Sequence, residues 1–497
     1  MKKFLAAIIS VLVVWTVIAI ALIPDASFTD KVPLVWATGN NPERIPQVKW
    51  FNELYPDCHL TIDPDNRGVM KVVVQSSAGM GPDLIDHVNA KSMQTYRDAG
   101  ILWDVTEQAK RMGFGLETLP EAVRPLVQLR DPETLEYRQY CYPCNYTNTC
   151  VYYNKDIFDE YGIDYPPRDL TWKEYIEIGR KLTIYQDENK DVPKLFGSAG
   201  MPLLIGLWCK GGRILNESGT RCLLGEPEAV AGMQFRHDLF FKYGVEPTPT
   251  QQASVTGQGG WGGGQYYSWF GEQKLAMFFG ERWMLIQLRR FFTEQLEARE
   301  RWEQEHPDET YTGLVPPRMG AVQVPRFEGR ERITWVRQRG AGINKLSPRR
   351  EDALKFLQYL AGEKYSELIN RGADAKPGNK KYVTIEHLRH PDWPGEEEIH
   401  QLAIESIPYG VAPRKSMFVN HAKVMRILNQ ADEVLTANPD MTPEQIERLM
   451  KTAARRVNQQ IAHNISRSER FQRIYRQLLE RGAEPIVLEK KVAMETP

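Results

Sequence analysis

At 497 residues the chain exceeds what one hydrophobic core ordinarily serves, so two or more lobes are expected. Apolar residues make up 42% and charged residues 26%, the balance of a globular protein rather than a disordered one. Lys plus Arg (63) nearly cancels Asp plus Glu (64), which removes the global positive field that a nucleic-acid partner would need.

Lys2 and Lys3 precede an uncharged apolar run from Phe4 to Ile23, closed by Pro24 and Asp25. Twenty such residues would span about 30 Å as a helix, the thickness of a bilayer's hydrocarbon. Cleavable signal segments are usually shorter in their apolar part, although Ala19-Ile20-Ala21 would serve as a cleavage site. An uncleaved anchor is the preferred expectation over a signal peptide. On either reading the lysines stay cytoplasmic and the rest of the chain is exported, to the periplasm or the outer face of the cell membrane.

From Val32 the pattern alternates. Val32 to Ala37 and His59 to Ile62 read as strands, with helical spacing over Ile45 to Tyr55 between them. Met70 to Ser77 is a second helix, and Leu84 to Asp86 a strand after the break Gly81-Pro82-Asp83. Such alternation predicts a parallel sheet with helices on both faces, with ligands at the carboxyl ends of the strands. Asn40 and Asn41 after the first strand, and His87 and Asn89 after the third, then share one rim. Further on, Cys150 to Tyr153 is a strand, and Thr171 caps the helix Trp172 to Leu182 through Glu174. Pro227 to Phe241, Leu285 to Glu305 and Pro348 to Leu360 are helices, and helical patterns run from Thr442 to about Arg481. Ser254 to Tyr267 is a Gly-rich loop carrying Trp261.

Motifs of catalysis are missing: no Gly-x-Ser-x-Gly elbow, no His-Glu-x-x-His, no phosphate loop. No cofactor or metal is expected. Six cysteines in an exported chain allow one to three disulfides, with Cys209 and Cys222 as the first pair because a turn at Asn216 to Gly219 separates them. Cys141-Tyr142-Pro143-Cys144 does not open a helix, so a redox pair is disfavoured against a structural disulfide or unpaired thiols.

The segment Tyr152 to Thr183, YYNKDIFDEYGIDYPPRDLTWKEYIEIGRKLT, is where a resemblance becomes specific. It resembles the hinge-crossing segment of bacterial extracellular solute-binding proteins of the maltose-binding-protein-like class, which serve ATP-driven carbohydrate importers. Gly81-Pro82-Asp83, Gly211 to Asn216, Lys274 to Trp283 and Gly340 to Asn344 are similar to further motifs of that class, in the same order. The likeness covers about residues 33–465. It departs at Glu272-Gln273, which lacks the class's usual Gly before Lys, at the bulk of Glu281-Arg282, at the cysteines between 141 and 222, and in the tail beyond about 465.

The resemblance implies an α/β, two-lobed periplasmic-binding-protein-like fold with a hinge between lobes and a helical C-terminal tail. Lobe 1 would take residues 32–145 and the return segment 327–371, lobe 2 residues 146–326 and 372–465, after the N-terminal segment 1–31 and before the charged tail 466–497. A sugar offers apolar C–H faces and a fringe of hydroxyls, so its binder needs aromatic plates and planar hydrogen-bonding groups. By position in the class, Asn40, Asn41, His87 and Asn89 would contribute from lobe 1, and Asn145, Tyr146 and Asn148 from the hinge. Trp261, Trp283 and Tyr409 would supply aromatic faces, and Arg282 and Arg339 bidentate contacts. The expected partners are a mono- or oligosaccharide and ABC permease subunits, with the protein a monomer. A sensor presenting its closed form to a membrane receptor is the alternative, and a carbohydrate-active enzyme a weaker one.

Overall fold

The computed structural model describes residues 30–40, 42–65, 68–185, 192–254 and 264–486. The run Phe4 to Ile23, Asn41 and Trp261 lie outside these residues. Among the described residues no helix is long and apolar enough to cross a membrane.

The chain opens with β1 (Val32–Ala37), the helix Arg44–Leu54, β2 (Cys58–Ile62), the helix Val69–Ser77 and β3 (Leu84–Ile85). β1 pairs in parallel with both β2 and β3. The Gly-Pro-Asp motif before β3 serves this sheet. A Cβ on Gly81 would lie 2.6 Å from the Cα of Ser76, and Asp83 accepts from the Val35 amide and the Ser347 hydroxyl. A hairpin of β4 (Gln128–Arg130) and β5 (Tyr137–Gln139) then leads into β6 (Tyr142–Asn148), buried throughout.

At Thr149 the chain leaves the first sheet for a second. This contains β7 (Cys150–Asn154), β8 (Ile184–Tyr185), β9 (Pro193–Ala199), β10 (Leu275–Gly280) and β11 (Met319–Val322) in the order β11-β7-β10-β9-β8. The expected caps are present: Asn154 Oδ1 accepts from the amides of Asp156 and Ile157, and Thr171 and Glu174 form a reciprocal box. β12 (Thr334–Ile343) carries the chain back, antiparallel to β3 and β6 and parallel to β13 (Gly410–Val411). The parallel sheet read from the sequence is therefore only its β2-β1-β3 half. A strand returning from the other sheet must run against β3, and the first sheet is mixed.

One apolar core gathers Leu34, Trp36, Phe51 and Phe356 around the first sheet. Another packs Trp172, Phe235 and Phe279 beside the second. A third is helical, built from Pro227–Phe241, His421–Ala437, Pro443–Ser466 and Glu469–Glu480, the last docking through Ile474 and Leu478. The helical patterns expected from Thr442 to about Arg481 form two helices, the second capped by Ser468. The Gly-rich segment is helical from Gly264 to Gly271, which shortens the expected loop.

The disulfide expectation is corrected. All six cysteines are buried thiols. Cys209 ends a helix and turns its Sγ onto the Gly206 carbonyl at 3.1 Å. The turn between Cys209 and Cys222 does form, with Asn216 Oδ1 accepting from the Thr220 and Arg221 amides. Cys141 directly precedes β6 and Cys144 lies in it, and burial pushes both thiols well above their ordinary range.

Candidate ligand-binding cleft

A cleft of about 870 Å³ opens between the two halves, lined by the loops after β1 and β3, by β6 and β12, and by residues of the second sheet's side. Its wall on the first side is built around one carboxylate. Asp86, directly after β3, accepts from Arg339 Nε (3.0 Å) and Nη2 (2.8 Å) and from the Thr38 hydroxyl. Burial alone would raise the Asp86 carboxyl; the facing Arg339 guanidinium outweighs this and holds it at about 2. The loop that follows is fixed by its own hydrogen bonds. His87 has φ +52, a left-handed conformation that His tolerates better than most residues, and its amide donates to Asp86 Oδ1 at 2.7 Å. Ser92 Oγ closes the loop onto the His87 carbonyl, and Asn89 Oδ1 accepts from the Lys91 amide.

A second ion pair joins Arg44, the first residue of its helix, to Asp374 at 3.0 Å. Asp374 sits between Ala373 (φ +54) and Ala375 (φ +64), two left-handed residues that cost on the order of 1–3 kcal/mol each. Arg282 is what stands behind this turn. It is fully buried, and its guanidinium donates to the carbonyls of Asn370, Ala375 and Leu388.

β12 forms the floor. Trp335, Arg337 and Arg339 are part-exposed while Val336 and Gln338 between them are buried, the alternation a strand imposes. The pairing of β12 with β6 slips at Arg339/Gly340. Gly340 is required there, because a Cβ would come within 2.8 Å of the Val88 carbonyl. Arg337 lies over the Trp335 ring at 4.4 Å and pairs with Glu281. Glu281 Oε2 accepts from the Trp283 indole N–H at 2.6 Å, so the orientation of that ring is held from behind.

His87, Asn89, Asn145, Trp283 and Arg339 are brought together in this cleft. Sequence reasoning missed Arg44, Glu281, Trp335, Arg337 and His421, which line it too. The T-W-V-R-Q-R alternation of 334–339 was the available signal for two of them.

Five of the expected residues lie elsewhere. Arg282 is sealed beneath the Asp374 turn, too deep to reach a ligand. Tyr146 is wholly buried in the first core. Asn148 faces inward to the buried Lys376. Tyr409 lies on a surface turn under Arg332, away from the cleft lining. Asn40 is exposed beside Gly39 and also outside the lining. Asp57, Cys58 and Asp352 come within 4.8 Å of one another, but Lys355 Nζ occupies the position a cation would take.

Fixed guanidinium–carboxylate edges offer planar donors and acceptors together, and two tryptophans offer apolar faces. That combination suits a ligand with hydroxyls around a C–H surface.

Solved structures of similar fold are numerous. An ABC substrate-binding protein of Listeria monocytogenes in complex with cycloalternan matches with a TM-score of 0.65 at 21% identity, over 87% of this chain and 100% of its own. A maltose-bound MalE3 of T. maritima matches at 0.61 and 20% identity, over 86% and 99%. UgpB of Mycobacterium tuberculosis in complex with glycerophosphocholine matches at 0.64 and 13% identity, over 87% and 99%. The two-lobed binding-protein fold expected from the motifs is thereby shown. Over residues 31–190 the chain matches the family described as bacterial extracellular solute-binding protein, and through nearly nine-tenths of its length it has the fold of ABC substrate-binding proteins.

Proposed function

We propose that this protein captures a carbohydrate in the cleft by hinge closure and delivers it to the permease of an ABC importer at the outer face of the cell membrane. In this reading the first lobe is made of residues 32–148 and 327–371 and the second of 149–326 and 372–465, the expected boundary at 145/146 moving to the end of β6 and β13 rejoining the first sheet. The ligand bridges both, and binding favours the closed arrangement only by its greater affinity for it. The ligand is bound and released unchanged.

The observation that carries the reading is the opposition of Trp283, held by Glu281, to the Arg339–Asp86 pair and Asn145 within one cleft. The complexes of similar proteins with cycloalternan and maltose support a saccharide, and glycerophosphocholine marks the nearest rival chemistry. A thermal-shift screen of sugars, polyols, oligopeptides and glycerophosphodiesters, followed by calorimetry on the hits, is the direct test. A saccharide or polyol is expected to raise the melting temperature and bind in one-to-one ratio. Binding confined to peptides or phosphodiesters would sink the proposal.

A further inference from the structure

Lys376 is wholly buried, two residues beyond Asp374. Its backbone pairs with Tyr146 in both directions, at 2.8 and 2.9 Å, which lays its side chain along β6 beside Asn148. The chain reaches Nζ across the Tyr146 ring at 4.9 Å, and Nζ donates to Asn148 Oδ1. Among the described residues no carboxylate forms an ion pair with this amine, although salt bridges elsewhere in the chain are plentiful. Asn148 is itself 1% exposed, and its Nδ2 faces Cys150 Sγ.

We propose that Lys376 and Asn148 are joined by an intramolecular amide bond. A lysine is a nucleophile only when neutral, and desolvation that outweighs the pull of Cys150 and the Glu281 carboxylate, with no ion pair formed, is what makes it so. Burial pushes the Lys376 amine down to about 7, so a large fraction is unprotonated near neutrality. The contact with Oδ1 places the amide carbon one bond further on, within reach and screened from water, the condition under which proximity replaces a collision. Nζ attacks Cγ of Asn148 and forms the Nζ–Cγ bond. The Cγ–Nδ2 bond breaks, the proton lost by Nζ passes to Nδ2, and ammonia leaves. No oxidant or cofactor takes part.

The product removes a buried amine that has no ion-paired carboxylate and replaces it with a neutral amide. It would tie β6 to the segment after Ala375, two stretches 228 residues apart in sequence where the chain passes between its halves. This inference does not depend on the identity of the ligand.

Peptide mapping of the purified full chain by tandem mass spectrometry decides it. Trypsin should release residues 139–155 and 372–380, since Lys376 precedes Pro377 and is not itself a cleavage site. The expected result is one branched species, lighter by one ammonia than the two peptides together, with fragment ions placing the branch at Asn148 and Lys376. Lys376→Arg keeps a cation but cannot form this bond, so its digest should hold only linear peptides. Recovery of both linear peptides in full yield from the wild-type chain would overturn the proposal, whether or not the variant folds.

Discussion

Asp86→Asn removes the charge that holds Arg339 while leaving the shape of the site almost unchanged. The carboxyl is kept at about 2 against an ordinary 3.8, because the Arg339 guanidinium overcomes the opposing effect of burial. A shift of roughly two units, at about 1.4 kcal/mol each, makes the native state about 2–3 kcal/mol more stable whenever the carboxylate is ionised. Asn also strands a buried guanidinium, for which the loss is typically about 3–5 kcal/mol. The expected cost at pH 7 is therefore about 3 kcal/mol, read from urea unfolding of the unliganded protein. The sign follows from a depressed carboxyl: its stabilisation is present above pH 3.8 and is lost as pH falls through 2. Wild type should lose this part of its stability across that window, and Asp86→Asn should not. A variant within about 0.5 kcal/mol of wild type at pH 7, the ordinary scatter of surface substitutions, would refute the account of the pair.

Trp283→Ala is expected to weaken binding of the identified saccharide about tenfold by calorimetry, on the scale of one aromatic contact, with melting nearly unchanged. Arg282→Gln leaves the carbonyls of Asn370, Ala375 and Leu388 short of donors, so about 2–4 kcal/mol of stability should go, measured by denaturant. Burial, first of all, lowers His400 to about 4 and His421 to about 3. Unfolding lets both take up protons, so their contribution to stability is complete above pH 6.5 and declines as pH falls towards 4 and 3; His421→Asn should flatten that decline in a series of melts. Thiol titration should find none of the six cysteines reactive in the native protein and all six after unfolding without reductant, whereas a disulfide would leave four.

The framework was legible because its signals are local. Val32–Ala37 is a short apolar run, Thr171 and Glu174 sit at capping distance, and Pro227 opens its helix, each readable without knowing the neighbours. The site was half legible for the opposite reason. His87 and Asn89 follow a strand that the sequence reveals, so their place at a rim could be read. Arg282 adjoins Trp283 in sequence and looked equally available, yet the turn sends one ring to the cleft and the guanidinium inward to three carbonyls from distant segments. Nothing near residue 282 encodes those partners. Arg44 was missed because its role depends on Asp374, 330 positions away. Cys209 and Cys222 show the same limit, since a correct turn between them does not settle where two side chains point.

The alternation along β12 has a consequence for how such a protein could acquire a new cargo. Positions 335, 337 and 339 are part-exposed along the cleft, while 336 and 338 lie buried at its floor. The outward set can be exchanged as a cassette, because the buried neighbours keep the strand in register whatever the cleft displays. Two of the three are constrained, for Arg339 is tied to the buried Asp86 and Arg337 to the buried Glu281, and neither can change unless its carboxylate changes with it. Drift in taste would then begin at Trp335 and reach Arg337 and Arg339 later, each in a paired step.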